Sequence, residues 1–390
     1  MKKIGILLLL CFSLVLAKSS NSMSKKSYET LIESQKLMET GKDKEAKKNL
    51  LELLKTELNG YEKSFVFQTL ANIEINANNY KGAIKYYKTI IELDVLEPKS
   101  IDNMKLSLAK IYLSENNYKT SIKILTSLLE SEFINKTDVY ENLAYATYYD
   151  KDFKKSILYI NSAISSNKEP KESSYQILYS SYVELKEYKN AINTLKFMVN
   201  NWHKNETYWL QLIALYQETN ELKKALSTFE LAYKKGGVAP NKNTLYFVNI
   251  LIQNELYFKA AQTLEEAMNK GYVENSKKNF DLLISCYDYA KQKDKVKEIL
   301  AKSDYARNSK YQLLLANIHF NEQNYKKTIE TLEKVSIKQG TKEDGQRNTL
   351  LALSYYELNE KNETVKYLQK AINNPHEKTR ALNIKKSLQI

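Results

Sequence analysis

Glycine and proline are scarce in this chain, with 9 and 4 among 390 residues. A multi-stranded sheet needs many tight turns. So few breakers exclude that architecture and leave helices joined by short polar links. Gly-rich phosphate loops are excluded on the same ground, and nothing in the chain calls for a cofactor. Two cysteines and three histidines supply neither a disulfide framework nor a protein-built zinc site. Arginine is nearly missing too: Arg307, Arg347 and Arg380 are the only three, although Lys and Arg together number 59 against 46 acids. Readers of nucleic acid favour the planar arginine fork, so the net charge of +13 reads as a lysine-rich solvated surface. No nucleic-acid partner is expected, only a weak, peripheral attraction to anionic membranes or acidic partners. Hydrophobic residues at 43% and charged ones at 27% suit an ordered chain. Its length exceeds one ordinary core and fits either two or three domains or a repeat array.

The N-terminus has the pattern of a secretory leader. Lys2 and Lys3 precede an apolar run from Ile4 to Leu16, then Ala17 and a polar stretch from Lys18 to Ser22. The alternative, a retained membrane anchor, suffers from a run shorter than the roughly 20 residues a crossing helix needs. Cys11 lies inside the apolar run, after Leu10 and before Phe12, which is not a lipidation context. Residues 1–17 are read as a signal peptide and 18–26 as a polar linker. Cleavage leaves Cys286 as the one thiol, read as buried and inert on an apolar helix face.

Self-comparison then gives the main result. The stretch Asn79-Tyr80-Lys81-Gly82-Ala83-Ile84 recurs as Asn117-Tyr118-Lys119-Thr120-Ser121-Ile122, as Glu187-Tyr188-Lys189-Asn190-Ala191-Ile192 and as Asn324-Tyr325-Lys326-Lys327-Thr328-Ile329. Its small residue falls at Ala46, Ala83, Ser121, Ser156, Ala191, Ala225, Ala260, Val296, Thr328 and Thr364, at intervals of 32 to 38 residues. A second apolar set precedes each by about twelve residues, for example Leu108-Ala109-Tyr112 or Trp209-Leu212-Tyr216, at the spacing of a helix face. Each unit therefore reads as helix, short turn, helix. The small residue permits close approach of the two helices, and a large one four later fills the groove. Val296, Thr328 and Thr364 predict looser packing in the last three full units.

This pattern resembles the tetratricopeptide repeat family, whose unit of about 34 residues is a pair of helices. The sixth unit carries the resemblance most fully, with Trp209, Leu212, Tyr216, Ala225, Phe229 and Ala232 at the family's apolar positions. The implied fold is all-α: a right-handed superhelical solenoid of about ten hairpins over residues 27–376. Glu377 to Gln389 reads as a capping helix with Ala381, Ile384 and Leu388 on one face, inside a terminal segment 377–390. Pro98, Pro170 and Pro240 are placed at repeat ends, where a helix must stop.

No catalytic constellation emerges, and the chain is read as non-enzymatic. His203 and His376 sit at repeat junctions and read as exposed. His319 stands where other units have Tyr112, Tyr182 and Tyr216, which predicts a packed, hydrogen-bonded core histidine. The serines lack a nucleophile elbow, and the carboxylates interleave with lysine as solvated faces. A solenoid instead leaves a long concave surface that holds another protein. Tyr145, Tyr148 and Tyr149 cannot all enter one seam of a helix, so they are candidates for stacking on a partner, against the alternative of inter-repeat packing. Gln176 and Ser180, on the next inner helix, extend this candidate groove. Gln68 and Asn72 stand in the second unit where a carboxylate-gripping groove would place paired Lys and Asn, so that ligand is not assigned.

Two stretches carry a narrower resemblance. One contains Tyr208-Trp209, Tyr216, Ala225 to Ala232, Ala260 to Leu264 and Gly271-Tyr272-Val273-Glu274. The other runs from Tyr367 through Ala371 to Pro375-His376-Glu377-Lys378-Thr379-Arg380. Their order and spacing are similar to the periplasmic tetratricopeptide proteins of TonB–ExbB–ExbD energy-transduction systems. That resemblance implies a periplasmic accessory in a Gram-negative envelope, with TonB, ExbB or ExbD components among its partners. The alternatives are an adaptor for envelope assembly, secretion or motility and, more remotely, an envelope glycan- or peptide-processing enzyme.

Overall fold

A computed structural model describes residues 22–390 apart from 168, 170, 304, 306 and 307. The leader over residues 1–17, with Cys11, lies outside the described residues, as do Pro170 and Arg307. Twenty-one α-helices, and no strand, occur among the described residues. Twenty of them form ten pairs. In the first compact unit, which ends at Trp202, the pairs are α1 (Lys25–Glu39) with α2 (Asp43–Leu53), α3 (Gly60–Asn76) with α4 (Tyr80–Leu93), α5 (Pro98–Ser114) with α6 (Tyr118–Ser127), α7 (Lys136–Tyr149) with α8 (Phe153–Ser165), and α9 (Glu172–Glu184) with α10 (Tyr188–Asn201). The second unit, from His203, holds α11 (Glu206–Glu218) with α12 (Leu222–Lys234), α13 (Pro240–Gln253) with α14 (Tyr257–Asn269), α15 (Lys277–Tyr289) with α16 (Lys293–Lys302), α17 (Ser309–Asn321) with α18 (Tyr325–Glu333), and α19 (Lys342–Glu357) with α20 (Lys361–Ile372), closed by α21 (Lys378–Leu388). Helix α1 begins at Lys25 on a Ser24 cap, so the segment read as linker is already helical at its last two residues.

Every pair turns the same way. The residue five before each small residue adopts a left-handed backbone, from Asn116 at φ 56° to Gly41 at φ 75°. The next residue sends its N–H back to the carbonyl five residues earlier, as in Asn117 to Tyr112 at 2.8 Å and Glu221 to Tyr216 at 2.7 Å. This closes the first helix in a Schellman turn. Four of these next residues, Asn79, Asn117, Asp152 and Asn324, also cap the second helix with their side chains, so one residue ends one helix and starts the next. Only Gly41 among the ten left-handed positions is glycine, and four are asparagine. Lys151, Lys186, Glu255, Lys291 and Gln323 hold a conformation that costs an ordinary L-residue about 1 kcal/mol.

The ten predicted small residues are all buried in the second helix of their pair, from Ala46 at 0% exposure to Thr364 at 1%. Where that residue is polar, its hydroxyl is satisfied, by the carbonyl of Glu360 at the start of its own helix for Thr364 (2.9 Å) and by the facing helix for the other three. Ser121 donates to the Ala109 carbonyl and Ser156 to the Ala144 carbonyl, both at 2.9 Å, and Thr328 reaches Ala316 at 3.4 Å. The looser packing expected at Thr328 and Thr364 is therefore corrected. Thr328 faces Ala316, which keeps the combined bulk at that crossing small, and Thr364 is 1% exposed, so neither position is loosened. The expectation holds only for α15–α16, where Val296 fills the small position and the two helices touch more sparsely than those of any other pair.

The prolines also differ from expectation. Pro98 and Pro240 open α5 and α13 at the first helical turn, where the missing N–H has no intrahelical partner to lose. Successive pairs are stitched by carboxylates. Glu62, at the start of α3, accepts from the Ser24 N–H at 3.0 Å, the Ser27 hydroxyl at 2.8 Å and the Asn59 N–H at 2.9 Å. Glu206 ties α11 to the start of α13 through the Ala239 N–H at 3.0 Å and Asn243 at 2.7 Å. Helix α21 caps as expected: Ala381 is fully buried against Ala352, Leu368 and Ala371, with Ile384 packed beside them.

Candidate protein-docking site

Helix α7 buries Leu143, Ala144, Ala146 and Thr147 and so turns Tyr145, Tyr148 and Tyr149 outward. Tyr145 and Tyr149 are 40% and 45% exposed, and Tyr148 is half-buried. The three rings form one cluster, with Tyr145–Tyr149 at 4.5 Å and Tyr148–Tyr149 edge-to-face at 5.2 Å. Two aromatic residues that the sequence reading passed over complete it. Tyr118, at the start of α6, stacks on Tyr149 at 5.5 Å, and Phe153 of α8 meets Tyr148 at 5.5 Å.

Two of these hydroxyls, on Tyr145 and Tyr148, are held neutral. Burial raises Tyr148; the Glu184 carboxylate of α9 adds to this, while a hydrogen bond with Ser180 opposes it. Burial, then Tyr149, push Tyr145 up to about 12. The structure therefore unites Tyr145, Tyr148, Tyr149 and Ser180. Gln176 is exposed on α9, one turn before Ser180. Gln68 and Asn72 do not join the cluster: they are half-buried on α3, two pairs earlier.

A positional rule sets Tyr149 apart. Seven residues before each small residue the chain is exposed in all ten pairs. Eight of those positions carry Glu, Asn, Ser or Gln, as in Asn76, Ser114 and Glu184. The exceptions are Tyr149 and Tyr289, the latter 70% exposed. Tyr289 stacks on Tyr257 at 5.2 Å, as Tyr149 does on Tyr118, and both partners open the second helix of the preceding pair. In the sequence this second platform is marked only by the break in an otherwise polar position.

The groups that reaction chemistry would use are dispersed. No cluster of three His, Cys, Asp or Glu able to hold a metal occurs among the described residues. Cys286 is 2% exposed, and burial pushes its thiol up to about 11, so it is no nucleophile at neutral pH. His203 and His376 are exposed. His319 packs as expected but without the expected hydrogen bond: its buried Nδ1 has no partner, and the nearest carboxylate, Glu322, is 3.9 Å away. Burial lowers its pKa, which favours the neutral ring. No helix among the described residues is long and apolar enough to cross a membrane.

Ten helix pairs, each interlocked at a small residue, define a helical-repeat scaffold, an architecture that generally binds protein along its surface. Two segments match models described as tetratricopeptide repeat, over residues 66–94 and 350–376, the second pair and the tenth. Those two pairs are tetratricopeptide repeats, and the other eight share their paired-helix form. Among solved structures it is similar to a tetratricopeptide repeat protein from Parabacteroides merdae (11% identity, 67% of this chain and 98% of that one, TM-score 0.43). It is also similar to MamA from Desulfovibrio magneticus RS-1 (18% identity, 46% and 96%, TM-score 0.40) and to a chain of the Naa15/Naa10 complex bound to HypK-THB (16% identity, 89% and 58%, TM-score 0.47). At these TM-scores none of them carries a function across. No curated protein matches the sequence.

Proposed function

We propose that this protein works in the cell envelope as a docking scaffold, with the α7 ledge of Tyr145, Tyr148 and Tyr149 as a contact surface for a protein partner. The observation that carries this reading is Tyr149: it occupies an exposed position that is polar in eight of ten pairs, and neighbouring rings support it. Exposed, mutually braced aromatics are the side chains that supply binding energy at interfaces with little ordering cost. Export rests on the leader pattern of residues 1–17. The resemblance of residues 202–272 and 367–380 supports service as an accessory of a TonB–ExbB–ExbD system. Crosslinking in intact envelopes, with N-terminal sequencing of the recovered protein, tests all three parts. Recovery with ExbB, ExbD or TonB, starting after Ala17, is expected. Recovery with a different envelope assembly would move the protein to another process there, and an intact leader in a cytoplasmic fraction would overturn the localisation. The double substitution Tyr145→Ala, Tyr149→Ala should weaken partner recovery while unfolding stays within about 1 kcal/mol of wild type.

A further inference from the structure

We propose that Tyr118–Tyr149 and Tyr257–Tyr289 are two platforms of one design, each receiving a lysine or arginine side chain from a basic segment of the protein partner. The inference rests on the scaffold reading above and specifies the chemistry of what docks. Tyrosine elsewhere in the chain shows the preference at work. Lys88 lies over Tyr112, Lys224 over Tyr216, Lys310 over Tyr311, and both Lys366 and Lys370 over Tyr367, at 4.9–6.0 Å from the ring centres. That is the geometry of cation–π attraction. Among the described residues no lysine lies over Tyr118, Tyr149, Tyr257 or Tyr289, although the chain is rich in lysine. These stacked pairs, each with one exposed member, are among the rings left open to a cation from outside.

The local charge complements such a cation. The chain carries +13 overall, yet residues 92–150 hold ten carboxylates against six lysines, and the first platform lies along this acidic stretch. Glu184 reaches Tyr148 with its field, and neither Glu184 nor Asp150 has an ion-pair partner among the described residues. At the second platform Asp288 precedes Tyr289 and Glu255 sits in the turn before Tyr257, both exposed and without an ion pair among the described residues. A cationic head over a tyrosine face with a carboxylate at the rim satisfies both ring and charge, whereas a purely apolar ligand would leave the carboxylates unused.

The test is a calorimetric titration of the full chain with an octapeptide of alternating glycine and arginine. Binding of two equivalents is expected. Tyr149→Leu and Tyr289→Leu should each remove one, or weaken it about two- to fivefold, the range of an exposed cation–π contact. Tyr149→Phe and Tyr289→Phe keep the ring face and should bind as wild type; equal helicity of all four variants excludes unfolding as the cause. Equal binding by the leucine variants would overturn the proposal. So would preference for an alternating glycine–aspartate or a proline-rich octapeptide, or concentration-dependent self-association that Tyr149→Leu abolishes, which would make a second copy the occupant. If envelope crosslinking still recovers a partner while the arginine peptide fails to bind, the cation platform falls and the scaffold reading stands. If no partner is recovered by crosslinking, the scaffold reading itself fails.

Discussion

Helix α15 carries two tyrosines that behave as opposites. Tyr287 is 1% exposed, packed in the seam, with its hydroxyl donating to Glu265 of α14. Tyr289, two residues on, is 70% exposed and touches the chain mainly by stacking on Tyr257. The same division separates larger regions. In the second unit Tyr311 and Tyr355 give their hydroxyls to Asp281 at 2.9 Å and Glu333 at 2.8 Å, so their polar ends are consumed internally. In the first unit, Tyr145 and Tyr149 of α7 turn ring faces to solvent. Residue type does not tell the two classes apart; register does. Nine residues before the small residue a tyrosine enters the seam, and seven before it turns to solvent and stacks on a neighbouring ring. The reason is the 100° advance per residue of an α-helix, which carries positions two apart to opposite sides.

Substitutions along this register should separate the classes, and the largest effect belongs to the seam. Tyr287→Ala should destabilise the second unit by about 3–5 kcal/mol, read as a fall in its unfolding midpoint, because it opens a cavity and strands a carboxylate. A loss under about 1 kcal/mol would erase the distinction. Next comes Glu62, a buried carboxylate held by backbone amides and hydroxyls instead of a tyrosine. Burial alone would raise its pKa, but the hydrogen bonds from Ser24, Asn59 and Ser27 bring it down to about 2 from 4.5. A carboxyl depressed in the folded state stabilises fully above its unfolded value, so that contribution, on the order of 3 kcal/mol, should vanish as pH falls from 4.5 towards 2. Glu62→Gln should flatten the acid limb of the stability curve over that window. Tyr287→Phe, which keeps the ring and deletes the hydroxyl, should cost about 1 kcal/mol. Lys151→Gly, relieving a left-handed residue, should raise stability by up to about 1 kcal/mol; no gain would mean the turn is not strained. Tyr289→Ala should change unfolding by less than about 0.5 kcal/mol.

Much of this was legible in the amino-acid order, and the parts that were not share a cause. The ten small residues could be read because close helix crossing imposes size at one recurring place, and all ten proved buried. Cys286 and Ala381 followed from the same apolar faces. The short turns were legible in place, but not their backbone: one left-handed residue is glycine and four are asparagine, while at the other five hydrogen bonding fixes the conformation without a residue signature. Pro98 and Pro240 misled because a proline between helices can close one or open the next. The bonds of Glu62 and Glu206 join residues 33 to 38 apart, beyond what periodicity can register. Of the candidate contact surface, Tyr145, Tyr148 and Tyr149 were legible because no seam holds three neighbours on one helix. Tyr118 and the Tyr257–Tyr289 platform were not, since stacking across pairs is a property of the fold.

The sparse contact between α15 and α16, with Val296 at the small position, has a mechanical consequence. In an array where each pair leans only on its neighbours, strength is set by the poorest joint rather than by the average. Thermal opening of the second unit should therefore start at α15–α16 and release the helices beyond it as a block, while α11–α14 stay folded. Protection of backbone amides against exchange should fall in one step at that joint, marking a built-in breaking point partway along the stack.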